Sequence, residues 1–185
     1  MLEAIFAQLE NGAIGHKNKL IWSGPKYKTI VSIDMAFFKE TTKDKNIVMG
    51  YKTWESLNCK KLPGRKKHYI ITSRSNLESL DEDIQYLSLE DFRNVVKNNP
   101  AEIFMVIGGA QLYNALMPEC DKIYQSILYI DKLNKVDNYD TYLYLDRIIN
   151  LNNYTKRWRC SDVYKNDSID IYEYSPSTLG KKEKK

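Results

Sequence analysis

The stretch that decides the fold class is residues 47–57, which read Ile47-Val48-Met49-Gly50-Tyr51-Lys52-Thr53-Trp54-Glu55-Ser56-Leu57. Its first part is a short apolar run that ends at a glycine, which predicts a buried β-strand. A helical segment follows without a linker, so the strand leads directly into a helix. Such a junction is typical of an α/β sheet whose strands are joined by crossover helices. It also leaves backbone N–H groups at the helix start free to bind a phosphate, and Lys52 adds positive charge there.

The same alternation of strand and helix continues in both directions from this stretch. Strands are predicted over residues 3–9, 46–50, 68–72, 84–87, 103–107 and 122–129. Helices are predicted over residues 31–42, with Ser32 as the N-cap, and over 51–57, 89–97 and 110–117. Residues 10–30 are predicted to form a loop, and residues 155–163 and 168–174 an antiparallel pair across a turn at 165–167.

The composition is that of one globular domain. Apolar residues make up 43% of the 185 residues and are spread along the chain, so one packed core is expected. The three cysteines are odd in number and lack Cys-x-x-Cys spacing, which favours reduced thiols over a disulfide framework or a zinc site. No signal peptide or membrane span is predicted, and a cytoplasmic location is expected. The net charge of +4 is too small to require a nucleic-acid partner but suits an anionic ligand.

Asp34 and Phe38 are four residues apart on the predicted helix and therefore share one face. A carboxylate beside an aromatic ring suits a flat, nitrogen-rich ligand, because the acid accepts hydrogen bonds while the ring packs on the ligand. The alternative is that Asp34 only favours the positive end of the helix dipole, which is common for Asp in a first turn. The spacing alone leaves this structural alternative ahead.

Cationic groups follow two of the predicted strands, and a third stands in a turn. Lys52 follows one strand, and Thr72-Ser73-Arg74 ends the next with two hydroxyls and an arginine, all of which can bind a phosphate. Ligands of α/β sheets bind beyond the carboxyl ends of parallel strands, so two such ends are better evidence than one. The turn Leu62-Pro63-Gly64-Arg65 presents an arginine that fits a carboxylate, although a surface arginine is the commoner case.

A strand that ends in two glycines marks a further candidate site, Val106-Ile107-Gly108-Gly109-Ala110-Gln111-Leu112-Tyr113. The glycines permit close approach of a ligand or tight packing of helix on strand. This is not the G-x-G-x-x-G fingerprint, so a Rossmann domain is disfavoured. The loop after the first strand contains Ile14-Gly15 and Trp22 and could cover a ligand, although an ordinary surface loop is the simpler interpretation.

The order and spacing of these motifs resemble dihydrofolate reductase over nearly the whole chain. The matching residues are Ile14-Gly15, Leu20-x-Trp22, Asp34-x-x-Phe37-Phe38-Lys39, Val48-Met49-Gly50, Thr53-Trp54-Glu55-Ser56, Leu62-Pro63-Gly64-Arg65, Thr72-Ser73-Arg74 and Ile107-Gly108-Gly109. So many separated motifs in one order make a chance match implausible.

The resemblance implies one α/β domain over residues 1–175 and a flexible basic tail over 176–185. The domain would hold a central, mostly parallel eight-stranded sheet with an antiparallel C-terminal strand and about four flanking helices. The implied reaction is NADPH-dependent reduction of 7,8-dihydrofolate to 5,6,7,8-tetrahydrofolate, in support of one-carbon metabolism and thymidylate synthesis. Antifolates would be its inhibitors, and no metal would be needed.

The resemblance also implies roles for single residues. Asp34 would be the pterin-binding acid, assisted by Trp22 and Ser126. The substrate-binding set would be Phe6, Met35, Phe38, Ser56, Leu57, Leu62, Arg65, Ile107 and Tyr113, with Arg65 on the α-carboxylate of the glutamate tail and the last two also at the nicotinamide. The NADPH-binding set would be Ala7, Ile14, Gly15, Gly50, Lys52, Thr53, Thr72, Ser73, Arg74, Gly108, Gly109, Ala110, Gln111 and Leu112. Lys52 and Arg74 would lie near the 2′-phosphate, and the peptide between Gly108 and Gly109 would be cis.

Four departures from the family pattern are visible. Ile21 replaces a proline before Trp22, and Ser126 replaces a threonine that bonds the acid. Phe6 replaces a smaller residue and is expected to crowd the pterin end. Several extra residues within 23–33 are expected to bulge before the active-site helix.

Two rival functions remain at this point. One is a reductase of the same fold that acts on a ribosylated pyrimidine, which would not need Asp34 and Arg65 in these motifs. The other is a weakly catalytic folate-binding or RNA-binding protein, which the lysine-rich end and the changes at Phe6 and Ile21 motivate. A monomer is expected unless the domain is fused to or paired with thymidylate synthase. A membrane partner is not expected.

Overall fold

The computed structural model describes residues 1–17, 20–22, 28–129, 139–159 and 169–177. The strands are β1 (Leu2–Leu9), β2 (Ala13–Gly15), β3 (Asn46–Gly50), β4 (His68–Ile71), β5 (Ile84–Leu87), β6 (Phe104–Val106), β7 (Lys122–Leu128), β8 (Thr141–Tyr142), β9 (Tyr154–Trp158) and β10 (Ile169–Pro176). The helices are α1 (Lys28–Thr42), α2 (Tyr51–Ser56), α3 (Leu89–Asn98), α4 (Ala110–Leu116) and α5 (Leu145–Ile148).

Eight strands form one sheet in the order β5-β4-β3-β6-β1-β7-β10-β9. The pairs among β1, β3, β4, β5, β6 and β7 are all parallel, whereas β10 is antiparallel to both β7 and β9. The inner strands carry apolar side chains on both faces, because a parallel sheet is covered on both sides. The predicted eight-stranded, mostly parallel sheet with an antiparallel C-terminal strand is therefore confirmed.

Each face of the sheet has its own apolar cluster. The cluster beneath α1 contains Ile5, Trp22 and Phe37, and we call it the α1-side core. The cluster on the opposite face contains Phe6 and Tyr113, and we call it the α4-side core. Ile5 and Phe6 belong to different clusters because successive side chains of a strand point to opposite faces.

Helix α1 differs from the sequence prediction at its start. It begins at Lys28 instead of residue 31, and Ser32 lies inside it, where its hydroxyl donates to the Thr29 carbonyl at 2.7 Å. The predicted N-cap at Ser32 is therefore wrong. The expected bulge over 23–33 is also wrong for residues 28–33, which extend the helix instead, while residues 23–27 lie outside the described part. Among the residues that the structure describes, no helix combines the length and apolar character needed to cross a membrane.

Sequence analysis also missed the small sheet of β2 and β8 and the short helix α5. Strand β2 pairs with β8 across a long stretch of chain, with Ala13 opposite Tyr142, and so short a pair has no detectable period. The predicted turn at 165–167 lies outside the described residues. Strand β10 reaches Pro176, so the first residue of the predicted tail belongs to the sheet. The next residue is held beside it, because the Ser177 N–H donates to the Asn153 carbonyl at 2.8 Å.

Candidate active site

Helix α1 places Asp34 against the sheet, where only 9% of its surface is exposed. The neighbouring apolar residues of the α1-side core that sequence analysis had also selected are Ala7, Trp22, Phe38, Leu57, Leu62 and Ile107. Trp22 is fully buried, which explains why a tryptophan stands in this loop. The structure therefore brings the predicted acid and most of the predicted apolar walls to one face of the sheet.

Burial raises the pKa of Asp34 to about 6, because a charged carboxylate loses its hydration there. The Ser126 hydroxyl opposes this rise, since it lies close enough to stabilise the charged form. The Ser126 Oγ nevertheless makes no hydrogen bond of good geometry to any described residue, so burial prevails. The helix N-terminus does not contribute as expected, because α1 begins six residues before Asp34 and the dipole effect fades within the first turn.

The raised pKa makes Asp34 a destabilising group at neutral pH. The folded protein binds the Asp34 proton more tightly than the unfolded chain does. Protonation of Asp34 therefore adds to the free energy of unfolding below about pH 4, and this contribution is lost as the pH rises through about 6. We expect Asp34→Asn to raise the free energy of unfolding of the ligand-free protein at pH 7 by up to about 3 kcal/mol. Urea unfolding at several pH values measures this. A gain that stays constant down to pH 4 would contradict the assignment of the raised pKa to Asp34.

Tyr113 connects helix α4 with strand β1. Its hydroxyl is buried and donates to the Ile5 carbonyl at 2.8 Å. Burial, and then the negative charge of Asp34, raise the pKa of Tyr113, so the ring stays neutral. Ile5 is thus a site residue that sequence analysis missed. Its position two residues before Ala7 on a strand was the available signal, because such residues share a face.

Arg65 is held beside the Phe38 ring by a hydroxyl that sequence analysis did not select. Its Nε and Nη2 donate to the Thr42 Oγ1 at 3.1 and 2.7 Å, and its Nη1 donates to the Pro63 carbonyl. The guanidinium carbon lies 5.7 Å from the centroid of the Phe38 ring. Burial lowers the pKa of Arg65, but an arginine stays charged at any ordinary pH. A fixed cation therefore stands at the edge of the apolar face, ready for an anionic group.

The glycines predicted to bind the cofactor meet at the carboxyl ends of β3 and β6. The Gly50 N–H donates to the Gly108 carbonyl at 2.8 Å, and the peptide between Gly108 and Gly109 is cis, as predicted. Gly108 has a φ of +125°, and a Cβ there would lie 3.4 Å from the Tyr113 hydroxyl. A Cβ on Gly109 would lie 3.4 Å from the Thr53 Oγ1. Both positions are therefore packed so closely against Tyr113 and Thr53 that a larger residue would force these side chains to move.

Two of the predicted phosphate-binding cations lie at the neighbouring strand end. The Arg74 guanidinium lies 4.1 Å from the centroid of the Tyr51 ring, and Lys52 follows Tyr51 in the chain. The backbone N–H of Arg74 donates to the Thr72 Oγ1 at 3.1 Å, which forms the turn after β4. Lys52, Ser73 and Arg74 are all exposed. This edge of the sheet therefore presents two positive charges to solvent, and the Tyr51 ring packs against one of them, Arg74.

Several predicted residues lie apart from Asp34. Phe6 packs in the α4-side core with its ring centroid 5.7 Å from that of Tyr113, so the structure does not show it crowding the face that holds Asp34. Met35 and Ser56 are exposed, and the Ser56 hydroxyl donates to the Thr53 carbonyl. Of the remaining residues of the NADPH-binding set, Ile14 and Leu112 pack in the α4-side core, Gln111 is exposed, and Gly15 and Ala110 are partly buried.

Comparison with known proteins gives this arrangement its family. Residues 1–172 match the family model described as dihydrofolate reductase. The chain belongs to the dihydrofolate reductase family. Dihydrofolate reductase of Bacillus subtilis is 37% identical over 129 residues, which are 70% of either chain, and that of Enterococcus faecium is 33% identical over 129 residues, which are 69% of this chain and 71% of the relative. Among solved structures, dihydrofolate reductase from Enterococcus faecalis complexed with NADP(H) and RAB-propyl has a TM-score of 0.69 at 26% identity and covers 96% of both chains.

Membership in this family confirms the predicted fold and the predicted class of enzyme. Dihydrofolate reductases are NADPH-dependent oxidoreductases that reduce dihydrofolate to tetrahydrofolate, in support of one-carbon metabolism, and they are antifolate targets. A small-molecule substrate and NADPH as the cofactor are the corresponding ligands. The rival assignment to a pyrimidine reductase of the same fold is therefore discarded.

Proposed function

We propose that this protein reduces 7,8-dihydrofolate with NADPH on the α1-side face, with Asp34 as the group that binds and orients the pterin. The observation that carries the proposal is the Asp34 carboxyl, 9% exposed and with its pKa raised to about 6, among apolar walls. A general acid–base group works best when its pKa is close to the working pH. A strongly shifted pKa at a buried site is a recognised mark of function.

The direct test follows NADPH absorbance after addition of dihydrofolate to the full chain. We expect turnover with dihydrofolate, and none when a ribosylated pyrimidine replaces it. Binding of folate without turnover would contradict the proposal and would favour the weakly catalytic alternative.

The proposed mechanism divides the work between cofactor and protein. NADPH, when bound, supplies the hydride. The Asp34 carboxylate accepts hydrogen bonds from the pterin 2-amino group and the adjacent ring nitrogen, which favours the tautomer that can be protonated. The Ser126 hydroxyl, buried and without a good partner among the described residues, can join this contact. The buried Trp22 shields the ring from bulk water, and a water admitted past its loop delivers the proton.

The proposed substrate tail extends from the pterin towards Arg65. Phe38, Leu57 and Leu62 are partly buried around the α1-side core and form the apolar walls of this path. The Arg65 guanidinium, fixed by Thr42 at 2.7 Å, binds the α-carboxylate of the glutamate in two parallel hydrogen bonds. In this proposal the pterin binds at the Asp34 end of the α1-side face, and the glutamate tail pairs with Arg65 at its other end.

The described residues fit NADPH as the cofactor. Gly108 and Gly109 carry no side chains over the backbone at the junction of β3, β6 and α4, and we place the nicotinamide beside them. Lys52 and Arg74 are the cations that would hold the 2′-phosphate, and Thr53, Thr72 and Ser73 supply hydroxyl donors for the remaining phosphates.

Cofactor choice tests the roles of Lys52 and Arg74. Both cations are exposed at one sheet edge, and a 2′-phosphate is the group that distinguishes NADPH from NADH. We expect Lys52→Ala combined with Arg74→Ala to raise the KM for NADPH much more than the KM for NADH. Lys97→Ala, at the exposed end of α3, is the matched control and should leave both values unchanged. A double variant that keeps its preference for NADPH would show that these two residues are assigned wrongly.

We also propose the finer assignments of domain, partner and location. Residues 1–175 form the catalytic domain, which the family match over residues 1–172 supports, and 176–185 form a basic tail whose first residue, Pro176, continues strand β10. The protein is a monomer without a membrane partner, unless the domain is fused to or paired with thymidylate synthase, and the mild net charge argues against a nucleic-acid partner. The cysteine spacing supports a reducing, cytoplasmic environment.

A further inference from the structure

His68 is a fully buried histidine in strand β4, on the face of the sheet that holds Asp34. Its Nε2 accepts a hydrogen bond from the Leu62 backbone N–H at 2.9 Å. Its Nδ1 is also buried and has no hydrogen-bond partner among the described residues. The ring centroid lies 6.4 Å from that of Trp54, which is likewise buried. The histidine therefore makes one directed contact, and that contact reaches a residue of the proposed substrate path.

The protonation state of the ring follows from this geometry. A backbone N–H can only donate, so Nε2 must carry the lone pair and Nδ1 the proton. A buried N–H without an acceptor is unfavourable for stability. An apolar side chain at this position would avoid that penalty but would leave the Leu62 N–H without its acceptor. The contact with the Leu62 N–H is therefore what distinguishes a histidine from an apolar residue here.

Burial and nearby positive charges keep His68 neutral. Burial first, and then the charges of Lys61 and Arg65, lower the pKa of His68 to about 4, although Asp83 and Asp81 oppose them. Lys61 bridges both aspartates, at 2.8 Å to Asp81 and 3.0 Å to Asp83. At neutral pH the Nε2 lone pair is thus always available to the Leu62 N–H.

The Leu62 N–H, which donates to His68, belongs to the turn that ends at Arg65. On the far side of this turn, the Gly64 carbonyl accepts from the Asp44 N–H at 2.9 Å, and the Lys66 N–H donates to the Lys45 carbonyl at 3.0 Å. On the near side, the backbone of Leu62 is anchored through His68. The Arg65 guanidinium donates back to the Pro63 carbonyl, so a shift of the near side would move the cation as well.

We propose that His68 is a positioning residue for substrate selection: through the Leu62 N–H it fixes the turn that carries both the Leu62 wall and the Arg65 carboxylate clamp. This inference rests on the proposed function of Arg65. His68 does not touch the substrate or the reacting atoms. Its effect is therefore expected in the recognition of the aminobenzoyl-glutamate tail and not in hydride transfer.

The test compares dihydrofolate with a 6-methyl dihydropterin that lacks the tail. We expect His68→Leu to raise the KM for dihydrofolate about 3- to 10-fold, the worth of one hydrogen bond, with kcat unchanged. The KM for the tail-less dihydropterin should not change. His68→Gln should restore the KM for dihydrofolate, because its side-chain oxygen can accept from the Leu62 N–H. Ile70→Val, two residues along the same strand face, is the matched packing control and should show no dependence on the tail.

Arg65→Leu, measured in parallel, separates the two proposals. If Arg65→Leu loses tail recognition and His68→Leu does not, the inference about His68 is wrong while the clamp stands. If neither variant depends on the tail, the proposed role of Arg65 is wrong as well. Equal rises of KM for both substrates in His68→Leu would also overturn the inference.

A measurement on the unmodified protein keeps the inference testable if His68→Leu does not fold. Nitrogen NMR of the His68 ring should show Nδ1 protonated and Nε2 unprotonated at neutral pH. Hydrogen exchange should show the Leu62 amide protected. A ring protonated on Nε2, or a rapidly exchanging Leu62 amide, would overturn the proposal without any variant.

Discussion

Asp34→Asn is expected to lower the rate of hydride transfer at neutral pH by a factor of about 10²–10⁴, the range of a positioned acid–base group. Asparagine keeps the shape and part of the hydrogen bonding but cannot carry the negative charge that favours a protonated pterin. The loss is expected to be large because Asp34 is the buried carboxyl of α1, with its pKa raised to about 6, on an apolar face. Stopped-flow measurement of NADPH oxidation in a single turnover reports this step directly.

The effect of Asp34→Asn on the rate of hydride transfer is expected to depend on pH. The loss should shrink as the pH falls, because the solution then protonates the substrate without help from the enzyme. Asp44→Asn makes the same chemical change at an exposed position just beyond α1, where φ is +56° and asparagine is well tolerated, and it should leave the rate unchanged. Near-normal turnover of Asp34→Asn at neutral pH would refute the proposed mechanism even though the fold is that of the family.

Arg65→Leu is expected to weaken dihydrofolate binding by about 2–5 kcal/mol, the usual cost of removing one partner of a buried charge pair. Bound substrate would cover the guanidinium, which already packs 5.7 Å from the Phe38 ring centroid. The fold should survive, because the Thr42 hydroxyl keeps its bond to the Phe38 carbonyl at 2.6 Å. Titration calorimetry with dihydrofolate and with a tail-less dihydropterin measures the difference.

Lys66→Leu is the matched control for Arg65→Leu. It removes the next cation in the chain, whose ammonium pairs with the exposed Glu102 at 3.1 Å, and exposed pairs contribute little. We expect no change in the affinity for either ligand. Equal losses of affinity for dihydrofolate and for the tail-less compound in Arg65→Leu would indicate that Arg65 has only a structural role.

The sequence predicted the sheet well because its signals are local. A buried strand needs only a short apolar run bounded by turn residues, and such runs were recognisable in β3, β6 and β7. The cis peptide between Gly108 and Gly109 was predicted from the family resemblance, and the structure shows it. The start of α1 was placed three residues late, because Lys28 and Thr29 carry no apolar periodicity.

The sequence by itself determined the family, the sheet and the identity of the candidate acid, whereas the tertiary structure decided how each polar group is held. Thr42 beside Arg65, the Tyr113 hydroxyl on the Ile5 carbonyl and His68 on the Leu62 N–H join residues 23, 108 and 6 positions apart. The position of Asp34 six residues after the start of α1 was also visible only in the folded chain. At that distance the helix N-terminus does not lower the pKa of Asp34, and burial raises it. The physical reason is that apolar patterning acts through the period of one element, while a hydrogen bond or a desolvated charge depends on which elements pack together.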